Sequence, residues 1–153
     1  MNKEVEIYTD GASRGNPGPG GFGVILRAND KEKRLSKGFK RTTNNRMELM
    51  AVVAGLQALK KEGLDITIYS DSKYVVDSVT KGWLFSWVKK PNFANKKNPD
   101  LWKAFLSLYS KHRIRFVWVK GHADNHFNNL CDELATVAAD FGPHHIDIGF
   151  VED

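Results

Sequence analysis

Four acidic side chains, Asp10, Glu48, Asp71 and Asp132, fall where an α/β chain usually carries its functional groups, at strand ends and the helix starts beside them. Each has a simple account when taken singly, because acids suit helix N-termini and turns. Convergence would change that account. Carboxylates packed together repel and raise one another's proton affinity unless a cation neutralises them, so a gathered set implies bound metal. Ligands that are all oxygen favour hard ions such as Mg²⁺ or Mn²⁺ over zinc.

The elements that must position these acids are legible in the apolar pattern. Val5 to Asp10 alternates as a strand, Gly11 to Gly21 reads as a Gly/Pro-rich turn region, and Phe22 to Ala28 and Lys33 to Lys40 read as two further strands. Asn44 to Glu62 carries Leu49, Val52, Val53, Leu56 and Leu59 on one helical stripe, with Thr43 or Asn44 as cap and Gly63 as terminator. Asp65 to Ser70 is a β-branched strand feeding a helix over Ser72 to Val79. Trp83 to Val88 reads as a short helix, Lys89 to Pro99 as a polar loop, and Asp100 to Lys111 as a helix with Leu101, Phe105 and Leu108 on one side. Ile114 to Val119 is the last strand and Leu130 to Phe141 the last helix, with Leu134, Val137 and Phe141 inward. The order β-β-β-α-β-α-α-α-β-α predicts an α/β fold, a mixed sheet with helices packed on it. Residues 1–141 are expected to form one domain, and residues 142–153 a tail without assignment.

The chain has 153 residues, 41% hydrophobic and 27% charged, and contains no apolar run of about 20 residues that would span a bilayer. No membrane association is expected. Strand-like alternation begins at once after Met1, which leaves no room for an apolar targeting segment and predicts a cytoplasmic protein. The single Cys131 excludes an internal disulfide framework and, alone, a thiolate zinc cluster. A net charge of +5 makes a polyanionic partner plausible, and the charge is clustered. Seven Lys or Arg against one acid lie between Lys31 and Arg46, and five lysines with no acid lie between Lys81 and Asn98.

The strings YTDGASRGNPGPGGFG (Tyr8 to Gly23), TTNNRMEL (Thr42 to Leu49), YSDSKYV (Tyr69 to Val75), DLW (Asp100 to Trp102) and WVKGHADNHFNNLCDELA (Trp118 to Ala135) stand in the order and approximate spacing of type 1 ribonuclease H. The chain resembles that family, bacterial members included, from about Val5 to Ala135. The resemblance implies a ribonuclease H-like fold with a five-stranded mixed sheet, three strands antiparallel and the others parallel. It also implies an endonuclease that hydrolyses the RNA strand of an RNA·DNA hybrid, leaving a 3′-hydroxyl and a 5′-phosphate. Asp10, Glu48, Asp71 and Asp132 match the family's four metal-holding carboxylates, and His122 its catalytic-loop histidine. Such chemistry suits two Mg²⁺ ions, or Mn²⁺, about 4 Å apart, one activating water and one stabilising the leaving oxygen. His122 would then serve proton movement or product release.

Substrate contacts follow from the same resemblance. Asn16, Asn44 and Asn45, with backbone near Ser13, would lie along the RNA strand, where amides both donate to and accept from a 2′-hydroxyl. Arg41, Thr43 and Asn98 match a phosphate pocket for the DNA strand, and Tyr74 and Trp83 would pack on deoxyribose. The segment of about residues 81–99 resembles a basic protrusion in which Lys89, Lys90, Lys96 and Lys97 would meet phosphates, interleaved with Trp87, Phe93 and, just beyond, Trp102. It is several residues shorter than usual, and Pro91-Asn92-Phe93 stands where a Gly-Trp pair is common. A monomer with no obligate protein partner is expected.

Two other motifs lead elsewhere and fail. Gly18 to Gly23 satisfies G-x-G-x-x-G but leads into a strand where a dinucleotide site needs a helix, and His122 and His126 lack the glutamate of a zinc protease motif. Two rival readings are a hybrid-binding module without cleavage, which the four acids oppose, and a related resolvase or integrase core, which would need neither TTNNRMEL nor the basic segment.

Overall fold

The computed structural model describes residues 3–90, 97–120 and 125–151. Its elements run β1 (Glu4–Ser13), β2 (Gly18–Ala28), β3 (Lys31–Thr42), α1 (Asn44–Gln57), β4 (Asp65–Ser70), α2 (Lys73–Thr80), α3 (Trp83–Trp87), α4 (Pro99–Tyr109), β5 (Arg113–Trp118), α5 (His126–Phe141) and β6 (His144–His145). One sheet orders them β5-β4-β1-β2-β3-β6. The pairs β1–β2 and β2–β3 are antiparallel, whereas β4 runs parallel to β1, β5 to β4 and β6 to β3. The sheet therefore has six strands where five were expected, because two tail residues pair with β3 at Gly38 and Phe39.

Strand period sorts the residues of β2 between two layers of helix. Phe22 and Val24 join the main core with Ile7, Met47, Leu49, Val52, Leu56, Trp102 and Phe105, under α1 and α4. Ile25 points the other way, to Tyr8 and Cys131 beneath α5. Gly21 and Gly23 share that second face, and a Cβ on either would overlap the α5 backbone at Ala135 or Cys131. Helix α5 thus lies directly on the sheet.

That close approach corrects the expected helix face. Val137 and Phe141 are 54% and 79% exposed, whereas Asn128, Cys131, Ala135, Ala138 and Ala139 face inward. Leu134 does pack inward as expected, half-buried beside Tyr8, Ile25 and Cys131, but the positions lying directly over Gly21 and Gly38 go to Ala135, Ala138 and Ala139. The helix also begins four residues before the expected Leu130, where the Asn125 side chain accepts hydrogen bonds from the backbone of Phe127 and Asn128.

Other boundaries shift for local reasons. The turn region expected over Gly11 to Gly21 is mostly strand, since Ser13 still pairs with Gly20 and only residues 14–17 turn. Helix α1 is capped by Thr43 as expected, yet it stops at Gln57 rather than reaching Gly63. Leu59, expected on the α1 stripe, is half-buried beyond its end. Among the described residues no helix is long and apolar enough to cross a membrane.

Candidate active site

Strands β1 and β4 pair in parallel only as far as Tyr8 and Tyr69. The next residues deliver Asp10 on one strand and, past the end of the other, Asp71. Helix α1 enters the same space because residue 11 has no side chain: a Cβ on Gly11 would overlap the backbone nitrogen of Glu48. Glu48 in the second turn of α1 is thereby brought against Asp10, and carboxylate oxygens of Asp10, Glu48 and Asp71 all lie within 4.8 Å of one another.

Asp132 stands in the second turn of α5, half-buried. It is outside that tight trio but near enough for its charge to raise the proton affinity of Asp10. Burial, followed by the Asp71 charge, pushes the Asp10 carboxyl up to about 8, against a hydrogen bond of 2.9 Å from the Gly11 N–H that favours its ionised form. Glu48 is raised well above the usual carboxylate range, first by burial and then by the charges of Asp10 and Asp71.

Oε1 of Glu48 and Oδ1 of Asp71 are buried without a hydrogen-bond partner among the described residues. Orphaned acceptors are costly in a protein interior, and two of them in an all-carboxylate trio is the arrangement a hard divalent cation satisfies. The donor set fits the metal expected from the sequence.

Sequence reasoning missed the residue that ties this end of the sheet together. The buried amide of Asn128 donates to the carbonyl oxygens of Thr9 at 3.2 Å and Tyr69 at 3.3 Å, where β1 and β4 part. Asn128 lies one helical turn before Asp132, so one helix both clasps the two strands and presents the fourth acid. Its signal in the sequence was a polar residue in phase with the inward Cys131 and Ala135. On the neighbouring strand Trp118, 41% exposed, donates from Nε1 to the Asp71 carbonyl, with the Lys73 ammonium 4.2 Å from its ring centre.

The other sequence candidates divide into two groups. Ser13 ends β1, while Asn16, Asn44 and Asn45 are exposed close by, Asn16 accepting at 3.0 Å from the Asn44 N–H. Across α1, Asn98 precedes α4 in a left-handed conformation (φ 62°), and its amide donates at 3.1 Å to the Tyr74 hydroxyl. Thr43 caps α1 by accepting from the Arg46 N–H, and Arg41 is exposed at the end of β3. Trp83 is 45% exposed with the Lys81 ammonium over its ring, whereas Trp102 is fully buried and belongs to the core rather than to a basic face. Lys89, Lys90 and Lys97 are exposed. His122 and Lys96, together with Phe93, lie outside the described residues.

The basic patch counted from Lys31 to Arg46 loses a member. The Arg46 side chain is only 3% exposed and is paired with Asp100 and Asp147.

A profile of the RNase H family matches residues 2–140. The chain belongs to the ribonuclease H family. It is 52% identical over 140 residues to a ribonuclease H of Trichodesmium erythraeum, covering 89% of this chain and 88% of that one. It is 48% identical to a ribonuclease HI of Haemophilus influenzae across 100% of both chains. Among solved structures, LC9-RNase H1, a type 1 RNase H with the type 2 active-site motif, superimposes with a TM-score of 0.81 at 28% identity, covering 100% of this chain and 79% of that one. LC11-RNase H1, solved in complex with an RNA/DNA hybrid, gives a TM-score of 0.68 at 25% identity over 89% of this chain and 96% of that one. The expected fold and the membership in a family of endoribonucleases therefore hold, and the acidic trio sits in a ribonuclease H scaffold.

Proposed function

We propose that the protein hydrolyses the RNA strand of RNA·DNA hybrids internally, leaving 3′-hydroxyl and 5′-phosphate ends, with two Mg²⁺ or Mn²⁺ ions held by Asp10, Glu48, Asp71 and Asp132. The observation that carries this reading is the acidic trio, Asp10 and Glu48 buried and Asp71 half-buried, with its two orphaned oxygens, set in a chain of the ribonuclease H family. Bound there, divalent ions supply an activated water and neutralise charge on the leaving oxygen. Asp10, which lies within electrostatic reach of the other three acids, would contribute to holding both ions.

The remaining tasks fall to this chain's side chains. Asn16, Asn44 and Asn45 read 2′-hydroxyls on the RNA strand, and with Asn16 Oδ1 already accepting from the Asn44 N–H, the Asn16 side chain serves as a donor through its amide nitrogen. Arg41, Thr43 and Asn98 hold a DNA-strand phosphate beside the α1 N-terminus, where backbone N–H groups favour an anion. Tyr74 and Trp83 take the deoxyribose side, and Lys89, Lys90, Lys96 and Lys97 extend the grip along phosphates. His122 serves proton movement or product release. We read the protein as a cytoplasmic monomer, a setting its single buried cysteine suits.

The test is end-labelled hybrid, double-stranded RNA and double-stranded DNA, each with Mg²⁺ or chelator, beside Asp10→Asn. Metal-dependent cleavage of the RNA strand in the hybrid alone, lost in the variant, is the expected result. Cleavage of duplex DNA, or equal cleavage in chelator, overturns the reading.

A further inference from the structure

Arg46 is two residues from Glu48, yet none of its N–H groups is turned to the site. Nε donates at 2.7 Å to Asp147, Nη2 at 2.9 Å to Asp147 and 2.8 Å to Asp100, and Nη1 at 3.0 Å to Asp100 and 3.2 Å to Asn98. All five guanidinium hydrogens are engaged. Asp147, whose side chain is 1% exposed, also accepts at 2.7 Å from the Thr42 hydroxyl. A Cβ on Gly149 would collide with the Asp100 carboxylate, so the tail lies directly over this cluster.

The pairing determines which way the Asn98 amide points. Arg46 only donates, so Oδ1 must face it. The nitrogen then faces Tyr74, whose hydroxyl accepts from Asn98 and Trp102 and donates to the Lys97 carbonyl. Tyr74 accepts from one of the two amide hydrogens, and the second, held in the same plane, is a donor of the kind that suits an anionic oxygen. With Oδ1 outward, the same side chain would repel a phosphate.

We propose that Asp147 is a positioning residue for the DNA strand: acting through Arg46, it locks Asn98 with a donor turned to a DNA-strand phosphate. The inference rests on the hybrid reading above and adds the C-terminal segment to the substrate grip. A burial role alone would explain the Arg46–Asp147 pair but not its extension through Asn98 to Tyr74.

The experiment measures KM, kcat and metal-free binding on a normal hybrid and on a series carrying one neutral methylphosphonate linkage in the DNA strand. Wild type, Asp147→Asn, Asn98→Ala and the double variant are compared. Because one charge-assisted hydrogen bond to phosphate is no longer held in place, Asp147→Asn is expected to raise KM about tenfold with kcat changed by less than about twofold. That penalty should vanish in the Asn98→Ala background, and on the hybrid whose neutral linkage costs wild type most. An unchanged KM, or a penalty that persists in both, assigns Asp147 a structural role only and overturns the proposal. If Asp147→Asn does not fold, Asp100→Asn, which loosens the same guanidinium from its exposed side, must raise KM about threefold and lose that effect on the same neutral hybrid. A wild type that cuts hybrid while both variants match it sinks this inference alone, whereas a wild type that binds no hybrid sinks it together with the functional reading.

Discussion

Gly11 and Glu48 approach so closely that the backbone nitrogen of the glutamate occupies the space where a Cβ on residue 11 would stand. The contact is between backbones on both sides, so neither can give way by changing a rotamer. Gly11→Ala is expected to push α1 from β1, cost about 1–3 kcal/mol in stability and lower Mg²⁺ affinity because Glu48 is carried away with the helix. Chemical denaturation and a metal titration check it; unchanged metal affinity in a folded variant contradicts it.

Asn128 should behave as a positioning residue. Asn128→Asp replaces a donating amide by an acceptor facing two carbonyl oxygens, where β1 and β4 part beside Asp10 and Asp71. Losing those bonds predicts a fall in kcat of about tenfold or more with KM for hybrid nearly unchanged, together with a higher Mg²⁺ requirement. A rise in KM at constant kcat would instead place Asn128 in substrate binding.

The pH dependence follows from protons held by the trio. In the folded, metal-free protein burial and Asp71 raise the Asp10 carboxyl to about 8 from an ordinary value of 3.8, so between those values the folded state binds the extra proton. Its contribution to stability is present at low pH and is lost as pH rises through that window. In chelator, Asp10→Asn should therefore melt above wild type by a margin that widens from pH 5 to pH 8, each kcal/mol of relief being about 2–4 °C. Because a metal must displace the same proton, its apparent affinity should climb about tenfold per pH unit below pH 8. Parallel melting curves for the two proteins at all pH values would contradict both statements.

Lys89, Lys90 and Lys97 are exposed beside α3 and near Asn98. Replacing all three with alanine should weaken hybrid binding whatever the sequence, and should reduce the slope of log affinity against log salt by about 0.7–0.9 for each phosphate that is no longer neutralised. Weaker binding with an unchanged slope would mean that they do not meet phosphates.

The element order was legible in the sequence because strand alternation and caps are local patterns, and the acids were legible from their places at strand ends and helix starts and from the family resemblance, not from any local spacing. Thr43 was readable as a cap, and Glu48 as an acid near a helix start. Arg46 was not readable, since its partner Asp147 is 101 residues away and nothing near either residue marks the pair. The inward face of α5 was misread for a related reason. Leu134, Val137 and Phe141 all satisfy the hydrophobic pattern, but only Leu134 packs inward, because Gly21 and Gly38 on other elements draw the helix so close that alanines take the contact there. Tail residues 142–151 carry no period, yet a two-residue pairing to β3 and one buried carboxylate hold them.

The most direct test of metal binding by the gathered acids is anomalous diffraction from crystals of the protein equilibrated with Mn²⁺. Manganese density bounded by carboxylate oxygens of Asp10, Glu48 and Asp71, with Asp132 beside it, is the predicted result. Saturating Mn²⁺ with no density there, or density only at carboxylates elsewhere, such as Glu6 and Asp65, would contradict it.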